Sequence, residues 1–207
     1  MAIRPIVYEK RVWTRDSSAV FFQVMKPFGR LSNMSNECNL ELAGVAVGSS
    51  EALYQMLKYP HVPEAQRAIL QQASPMSAKM QAKRWKQDQR KDWMDLRVDV
   101  MAWVLRVKLA QNAVIFGKAL RETARGGVRL DIVEQSRGDD FWGAKLVVED
   151  ERYVLRGANV LGQLLSGLRD ELLECGSESM KVVPDPRFPE PVLLGCTLGE
   201  VRGRWNA

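Results

Sequence analysis

EQSRGDDFWG, residues 134–143, then a charged ribbon, then GANVLGQLLSGLRDEL, residues 157–172, is the stretch on which the reading of this chain turns. The first part sets three carboxylates (Glu134, Asp139, Asp140) beside Trp142 and two glycines. Such a mixture suits a site for a sugar or a base better than a core; an acidic turn closing a strand, with Trp142 capping the core, is the other reading. Upstream, VRLDIVEQ (residues 128–135) alternates as a strand that delivers Glu134 to its end. Downstream, KLVVEDERYVL (residues 145–155) reads as a hairpin tipped by Glu149, Asp150 and Glu151. The leucines after Gly157, Ala158 and Asn159 mark one buried face of a helix, and Gly162 and Gly167 suggest close approach to a neighbour.

Working back toward the N-terminus, GSSEALYQMLKYP (residues 48–60) starts a helix by serine capping and puts Glu51 in its first turn, where the backbone dipole favours a negative charge. Lys58 follows seven residues later, close to two helical turns and so on the same face. A salt bridge between the two is the plain alternative to a shared chemical role. Before this helix, residues 19–25 (AVFFQVM) and 40–47 (LELAGVAV) read as two strands. Between them RLSNMSNEC supplies Arg30, Ser32 and Asn33, donors suited to phosphate or ribose hydroxyls as well as ordinary turn formers. Helices are expected from Pro63, from Ser74-Pro75, over residues 92–112 on a stripe of Trp93, Leu96, Val100, Trp103, Val104 and Val107, and over residues 113–124. Residues 1–18 read as a loosely attached lead-in, residues 19–175 as one domain, and residues 176–207, with Pro184, Pro186, Pro189 and Pro191, as an extended non-helical tail, draped over the domain or reserved for a partner. The fold class expected is α+β, a predominantly helical single domain with a small sheet.

Composition narrows the chemistry. A single histidine, His61, argues against histidine triads and multi-histidine metal sites, leaving acid–base work to carboxylates, lysine or tyrosine; no metal and no cofactor is expected. Three cysteines without paired spacing fit reduced thiols. No apolar run approaches the ~20 residues of a membrane span and no leader precedes the first strand, so a cytoplasmic protein is expected. The net charge of +5 is uneven, +8 over residues 1–120 (18 basic, 10 acidic) and −3 over the rest (12 basic, 15 acidic). Its focus is Lys79, Lys83, Arg84, Lys86, Arg90 and Lys91. That run is a solvated helix face or a phosphate-binding patch in which Lys83, Arg84 and Lys86 hold a nucleic-acid backbone and Trp85 stacks on a base.

Taken in order, these segments resemble the NADAR family (NAD- and ADP-ribose-associated, also called YbiA-like). Its FSNF-like turn stands here as GRLSNMSN, its SEHYYQxxK helix as SSEALYQMLKY, and its RxDW element as Arg90-Lys91-Asp92-Trp93 with Met101 following. Its ExSxxDxxWG stretch stands as residues 134–143 and its GxNxLGxxLxxxR as Gly157 through Arg169. Each motif alone is weak; five in order, over roughly residues 19–172, are not. The resemblance implies a YbiA-like fold and cleavage of an N-glycosidic bond to ribose. One branch is similar to enzymes acting on phosphorylated intermediates of riboflavin synthesis. Another removes ADP-ribose from guanine in nucleic acid and counters DNA-modifying ADP-ribosyltransferase toxins, so a toxin encoded nearby is a partner the resemblance implies. A single strand spares the cost of exposing the base in a duplex and is the favoured substrate. It implies a catalytic Glu51, Asp139 and Lys58, and substrate contacts from Arg30, Ser32, Asn33, Trp142 and Asn159. The basic run and the proline-rich tail exceed the family core and favour the guanine-directed branch. One departure is Ala52, where the family often carries a polar residue after the motif glutamate. A non-catalytic module binding ADP-ribose or nucleic acid is the third reading.

Overall fold

The structure, a computed structural model, describes residues 5–203. In chain order the elements are β1 (Arg11–Trp13), β2 (Ser18–Phe21), β3 (Leu40–Leu42), β4 (Val45–Val47), α1 (Ser50–Met56), α2 (Pro63–Leu70), α3 (Pro75–Arg84), α4 (Trp93–Gln111) and α5 (Lys118–Arg121). There follow β5 (Ala124–Arg125), β6 (Val128–Arg129), β7 (Asp131–Ser136), β8 (Ala144–Glu149), β9 (Arg152–Gly157), α6 (Val160–Cys175), β10 (Val182–Val183), β11 (Val192–Leu193), β12 (Cys196–Thr197) and β13 (Val201–Arg202). This is an α+β fold, as expected, and its backbone contacts divide into two units interleaved along the chain.

One unit runs through Ser32 and resumes over Gly117–Gly176. It holds a five-stranded sheet in the order β1-β9-β8-β7-β2, parallel between β2, β7 and β8 and antiparallel outward to β9 and β1. Trp13, Val133, Ala144 and Leu155 form its core on one face, joined by Val20. The alternation of β7 and the hairpin of β8 and β9 follow the sequence, with Asp150 and Glu151 both at positive φ in the two-residue turn. The lead-in is not loose: Arg11–Trp13 pairs with Leu155–Gly157, because Trp13 has a core to enter and β9 an edge to fill. Strand β2 stops at Phe21, four residues short of the expected end, since the chain turns at residues 23–29 through the bonds from Lys26 N to Gln23 O and from Gly29 N to Lys26 O. The helix expected over residues 113–124 is a single π turn over residues 113–117 before the four-residue α5. The close approach expected at Gly162 is present, for a Cβ there would collide with the Ile132 carbonyl oxygen, whereas Gly167 faces open space.

The other unit is Asn33–Phe116 with the chain from Ser177 onward. Residues 40–47 are a hairpin, β3 with β4, rather than one strand; Ala43 and Gly44 turn it with φ of 50° and 76°, and only the glycine advertises such a turn in sequence. Helix α3 is closed at its start by a reciprocal capping box between Ser74 and Ser77 behind Pro75. Helix α4 buries Trp93, Val100, Trp103, Val104 and Val107 along the expected stripe. The proline-rich segment is draped over this unit, burying Met180, Val183, Phe188, Leu193, Leu198 and Val201. One short 3-10 turn (Glu178–Met180) precedes its prolines, and the pairs β10–β13 and β11–β12 fold it back on itself. Residues 1–4 of the lead-in and 204–207 of the tail lie outside the described residues. All three cysteines are free thiols, Cys38 buried and the other two exposed. No single helix among the described residues is long and apolar enough to cross a membrane.

Candidate active site

Helix α1 begins as its serines require: the Ser49 side chain accepts from the Ala52 N–H at 3.1 Å. Asn33 fixes the same end from outside the helix. Its carbonyl takes the Glu51 N–H at 3.3 Å, its side-chain oxygen accepts from the Ser50 hydroxyl at 3.1 Å, and its amide points at the Met101 sulfur at 3.0 Å. Buried as it is, Asn33 sets the position of Glu51.

Glu51 itself is 6% exposed, a carboxylate almost withdrawn from water. Its Oε1 accepts from Gln55 Nε2 at 2.8 Å, one helical turn on, and lies 4.0 Å from the ammonium of Lys79 on α3. No described residue takes its Oε2. Withdrawal of a carboxylate from water is unfavourable unless charge and hydrogen bonds compensate, and here one donor and one half-exposed cation do so in part. The remaining lone pairs are those a water or a cationic sugar carbon would meet.

Lys58 does not share a helical face with Glu51, because α1 ends at Met56 and Lys58 lies in the turn beyond its Leu57 cap. Its ammonium rests instead on two rings, 5.2 Å from the centre of Trp93 and 5.7 Å from that of Tyr54, which are themselves packed 4.9 Å apart at 56°. Burial pulls its pKa down from 10.5 to about 8, against the pull of the Glu51 charge and with further lowering by Lys79 and Lys83. An amine held there exchanges its proton close to physiological pH. Gln55 and Lys79 complete the group, and neither was singled out in the sequence as a partner of Glu51. Gln55 was findable, four residues from Glu51 on one helix; Lys79 belonged to the basic run, and only the packing of α3 on α1 pairs it with the carboxylate.

Of the nucleic-acid group, Lys83, Arg84 and Lys86 are exposed at the end of α3 and just past it. Trp85 caps that helix with its ring half-buried and its indole N–H buried without a partner among the described residues, so it is an anchor more than an open stacking platform.

In the sheet-bearing unit, the acidic loop and the start of α6 are one construction. The N–H groups of Ala158, Asn159, Val160 and Leu161 donate in turn to the carbonyls of Asp140, Gly143, Phe141 and Trp142 at 2.7–3.1 Å, so loop carbonyls, not a capping side chain, satisfy the helix start. Asp139 Oδ1 accepts from the N–H groups of Phe141 and Trp142, both at 2.9 Å, and its own N–H donates to the Ser136 hydroxyl. That leaves the exposed Oδ2 for a hydroxyl or a water. Trp142 is half-buried and meets Phe141 edge-on at 5.2 Å. Asp140 lies below the usual carboxylate range because Lys10, at 2.8 Å, and Lys145 hold its charge. Asn159, at 1% exposure and φ 51°, ties α6 to the sheet: Oδ1 accepts from Glu134 N–H at 3.0 Å and Nδ2 donates to Ile132 carbonyl at 2.9 Å. Both ends of its side-chain amide are thus engaged within this unit. Arg30, exposed, sits in the single 3-10 turn at residues 29–31, and the buried Ser32 closes it.

Compared with known proteins, the NADAR domain matches residues 14–173. The chain belongs to the NADAR family. Among similar proteins, a riboflavin biosynthesis protein of Vibrio vulnificus (strain YJ016) is 30% identical over 169 residues, 82% of this chain; the chain spans 42% of that longer protein. The N-glycosidase YbiA of Shigella boydii (serotype 4, strain Sb227) is 26% identical over 159 residues, covering 76% of this chain and 90% of YbiA. The NMR structure of the E. coli protein YbiA superposes with a TM-score of 0.61 at 26% identity, covering 78% of this chain and 88% of that one. The NADAR match ends at residue 173, so the proline-rich segment is an addition to the family core.

Proposed function

We propose that this chain releases ADP-ribose from guanine in nucleic acid, reversing DNA ADP-ribosylation, and that it counters an ADP-ribosyltransferase toxin encoded nearby. The chain is a hydrolase of N-glycosyl bonds, the activity named in its YbiA relatives. Breaking a ribose C–N bond passes through an oxocarbenium-like state, which needs a carboxylate near the anomeric carbon and an activated water. The observation that carries the reading is Glu51, buried, hydrogen-bonded among the described residues through one oxygen only and flanked by Lys79 and Lys58. Glu51 stabilises the developing positive charge and activates water. Lys79 and Lys58 supply positive charge for the phosphates that accompany the ribose, and Lys58, with its pKa near 8, can also exchange a proton with the substrate. A polymeric, anionic substrate is favoured by the exposed Lys83, Arg84 and Lys86, which continue the helix that bears Lys79.

A second reading, cleavage of a phosphorylated intermediate of riboflavin biosynthesis, is favoured by the name of the Vibrio relative. Incubating the protein with a guanine-ADP-ribosylated single-stranded oligonucleotide and, separately, with phosphorylated riboflavin intermediates separates the two. Free ADP-ribose from the first is the expected result; turnover of the second alone replaces the preferred substrate, and binding without release from either removes the enzymatic reading.

A further inference from the structure

We propose that Arg90 is a positioning residue through which the C-terminal segment beyond the NADAR core holds Lys58 at its working depth. The proposal rests on the glycosidase reading, because only there does the Lys58 ammonium matter to chemistry.

Arg90 touches both sides of this link. Its backbone N–H donates to the Lys58 carbonyl at 2.9 Å, and three residues on, Trp93 presents the ring on which the Lys58 ammonium rests. Its side chain, nearly inaccessible, forks onto Asp92, Nε to Oδ1 at 2.6 Å and Nη2 to Oδ2 at 2.9 Å, and the same Nη2 donates to the Pro189 carbonyl at 3.0 Å. Nη1 is buried without a partner among the described residues. An orphaned guanidinium N–H is a cost that a lone anchoring role would not require; what arginine alone offers is a planar fork that holds a carboxylate and a carbonyl at once.

The segment that Arg90 grips is itself pinned to the same unit. Trp103 Nε1 donates to Pro184 carbonyl at 3.1 Å, and His61 meets Glu190 at 2.9 Å. Gln66 holds Val192 and Leu194 through both ends of its amide, donating at 2.8 Å and accepting at 2.6 Å. Phe188 fills the space beside Trp103, edge-on at 6.0 Å. Residues 182–198 therefore form a strap whose tension point on the site is Pro189 to Arg90 to Lys58. The groups that face the Lys58 ammonium are Glu51 and the Tyr54 ring from α1, Lys79 and Lys83 from α3, and the Trp93 ring from α4. A slackened strap lets water reach the amine while leaving these neighbours in place.

The test is the titration of Lys58, followed by 13C NMR of the reductively methylated full chain and assigned by loss of its signal in Lys58→Arg. Phe188→Ala loosens the strap through its packing on Trp103, away from the Lys58 group, whereas Gln66 is unsuited because it also donates to the Met56 carbonyl at the end of α1. Arg90→Lys keeps the charge but loses the fork. In both, the Lys58 midpoint is expected to rise by roughly half a unit or more as solvation returns. With substrate, kcat is expected to fall about tenfold while KM stays within about twofold. An unchanged midpoint in folded Phe188→Ala overturns the proposal, and so does an activity loss that only tracks a lowered melting temperature. A native chain without glycosidase activity but with the midpoint shift intact removes the glycosidase reading and leaves the mechanical link standing.

Discussion

Glu51 could be explained by its place in a helix start alone, were it not buried with one oxygen that no described residue takes and two cations beside it. A residue placed for helix stability would sit in water, where the dipole contribution is ~0.3–1 kcal/mol. Glu51→Gln keeps the shape and the hydrogen bond to Gln55 with its amide oxygen but removes the charge. Turnover should fall by about 10²-fold or more while the urea midpoint moves little, equivalent to ~1 kcal/mol or less. Lys79 raises a second expectation. Its charge, with that of Lys83, depresses Lys58, so Lys79→Gln should move the Lys58-dependent limb of the kcat/KM–pH profile, near 8 in the native chain, to higher pH. A limb that stays in place would show that another group governs it. At this scale the sequence exposed the glutamate through its serine cap and the lysine through its spacing. It hid the geometry, because the helix that seemed to carry both stops at Met56 and the ion-pair partner comes from α3.

Among the elements, the acidic loop and the start of α6 stand or fall together. Gly162 lets the helix lie against the Ile132 carbonyl with the Asn159 amide wedged beside it. Gly162→Ala should cost ~1–3 kcal/mol by overpacking, read as a lower urea midpoint, whereas Gly167→Ala, facing open space, should be neutral or slightly stabilising. Helix α3 invites a different measurement. If Lys83, Arg84 and Lys86 each contact a phosphate of a single strand, reversing all three to glutamate should flatten the log–log salt dependence of oligonucleotide binding by ~2 units. An unaltered slope would reduce them to a solvated helix face. The motif residues of loop and helix were legible as important, yet sequence could not tell a clamp from a contact: Asn159 is the amide that ties strand β7 to the helix. The hairpin at residues 40–47 read as one strand because Ala43, not a second glycine, takes the left-handed position.

On the scale of the molecule, the α+β class and most helices followed from periodicity and caps, since amphipathic stripes and serine–proline starts are local signals. The attachment of β1 and of the proline-rich segment did not, because Trp13, Phe188 and Leu193 find their cores through long-range packing. The same packing hides Lys108, wholly buried with its ammonium 4.1 Å above the Phe116 ring and its pKa drawn down by burial to about 8. The unfolded chain keeps that proton up to the ordinary value of 10.5, so between those limits the unfolded state binds more protons and stability rises with pH. Two and a half units correspond to at most ~3 kcal/mol. Tyr59, pushed up to about 12, works in the opposite direction above pH 10. The urea midpoint should therefore climb between pH 8 and 10 in the native chain and stay flatter in Lys108→Met. The measurement that bears most directly on function is the release of free ADP-ribose from a guanine-ADP-ribosylated single-stranded oligonucleotide by the native chain and by Glu51→Ala. Release by the first and none by a folded second is the expected result; equal release by both would contradict the role of the buried carboxylate.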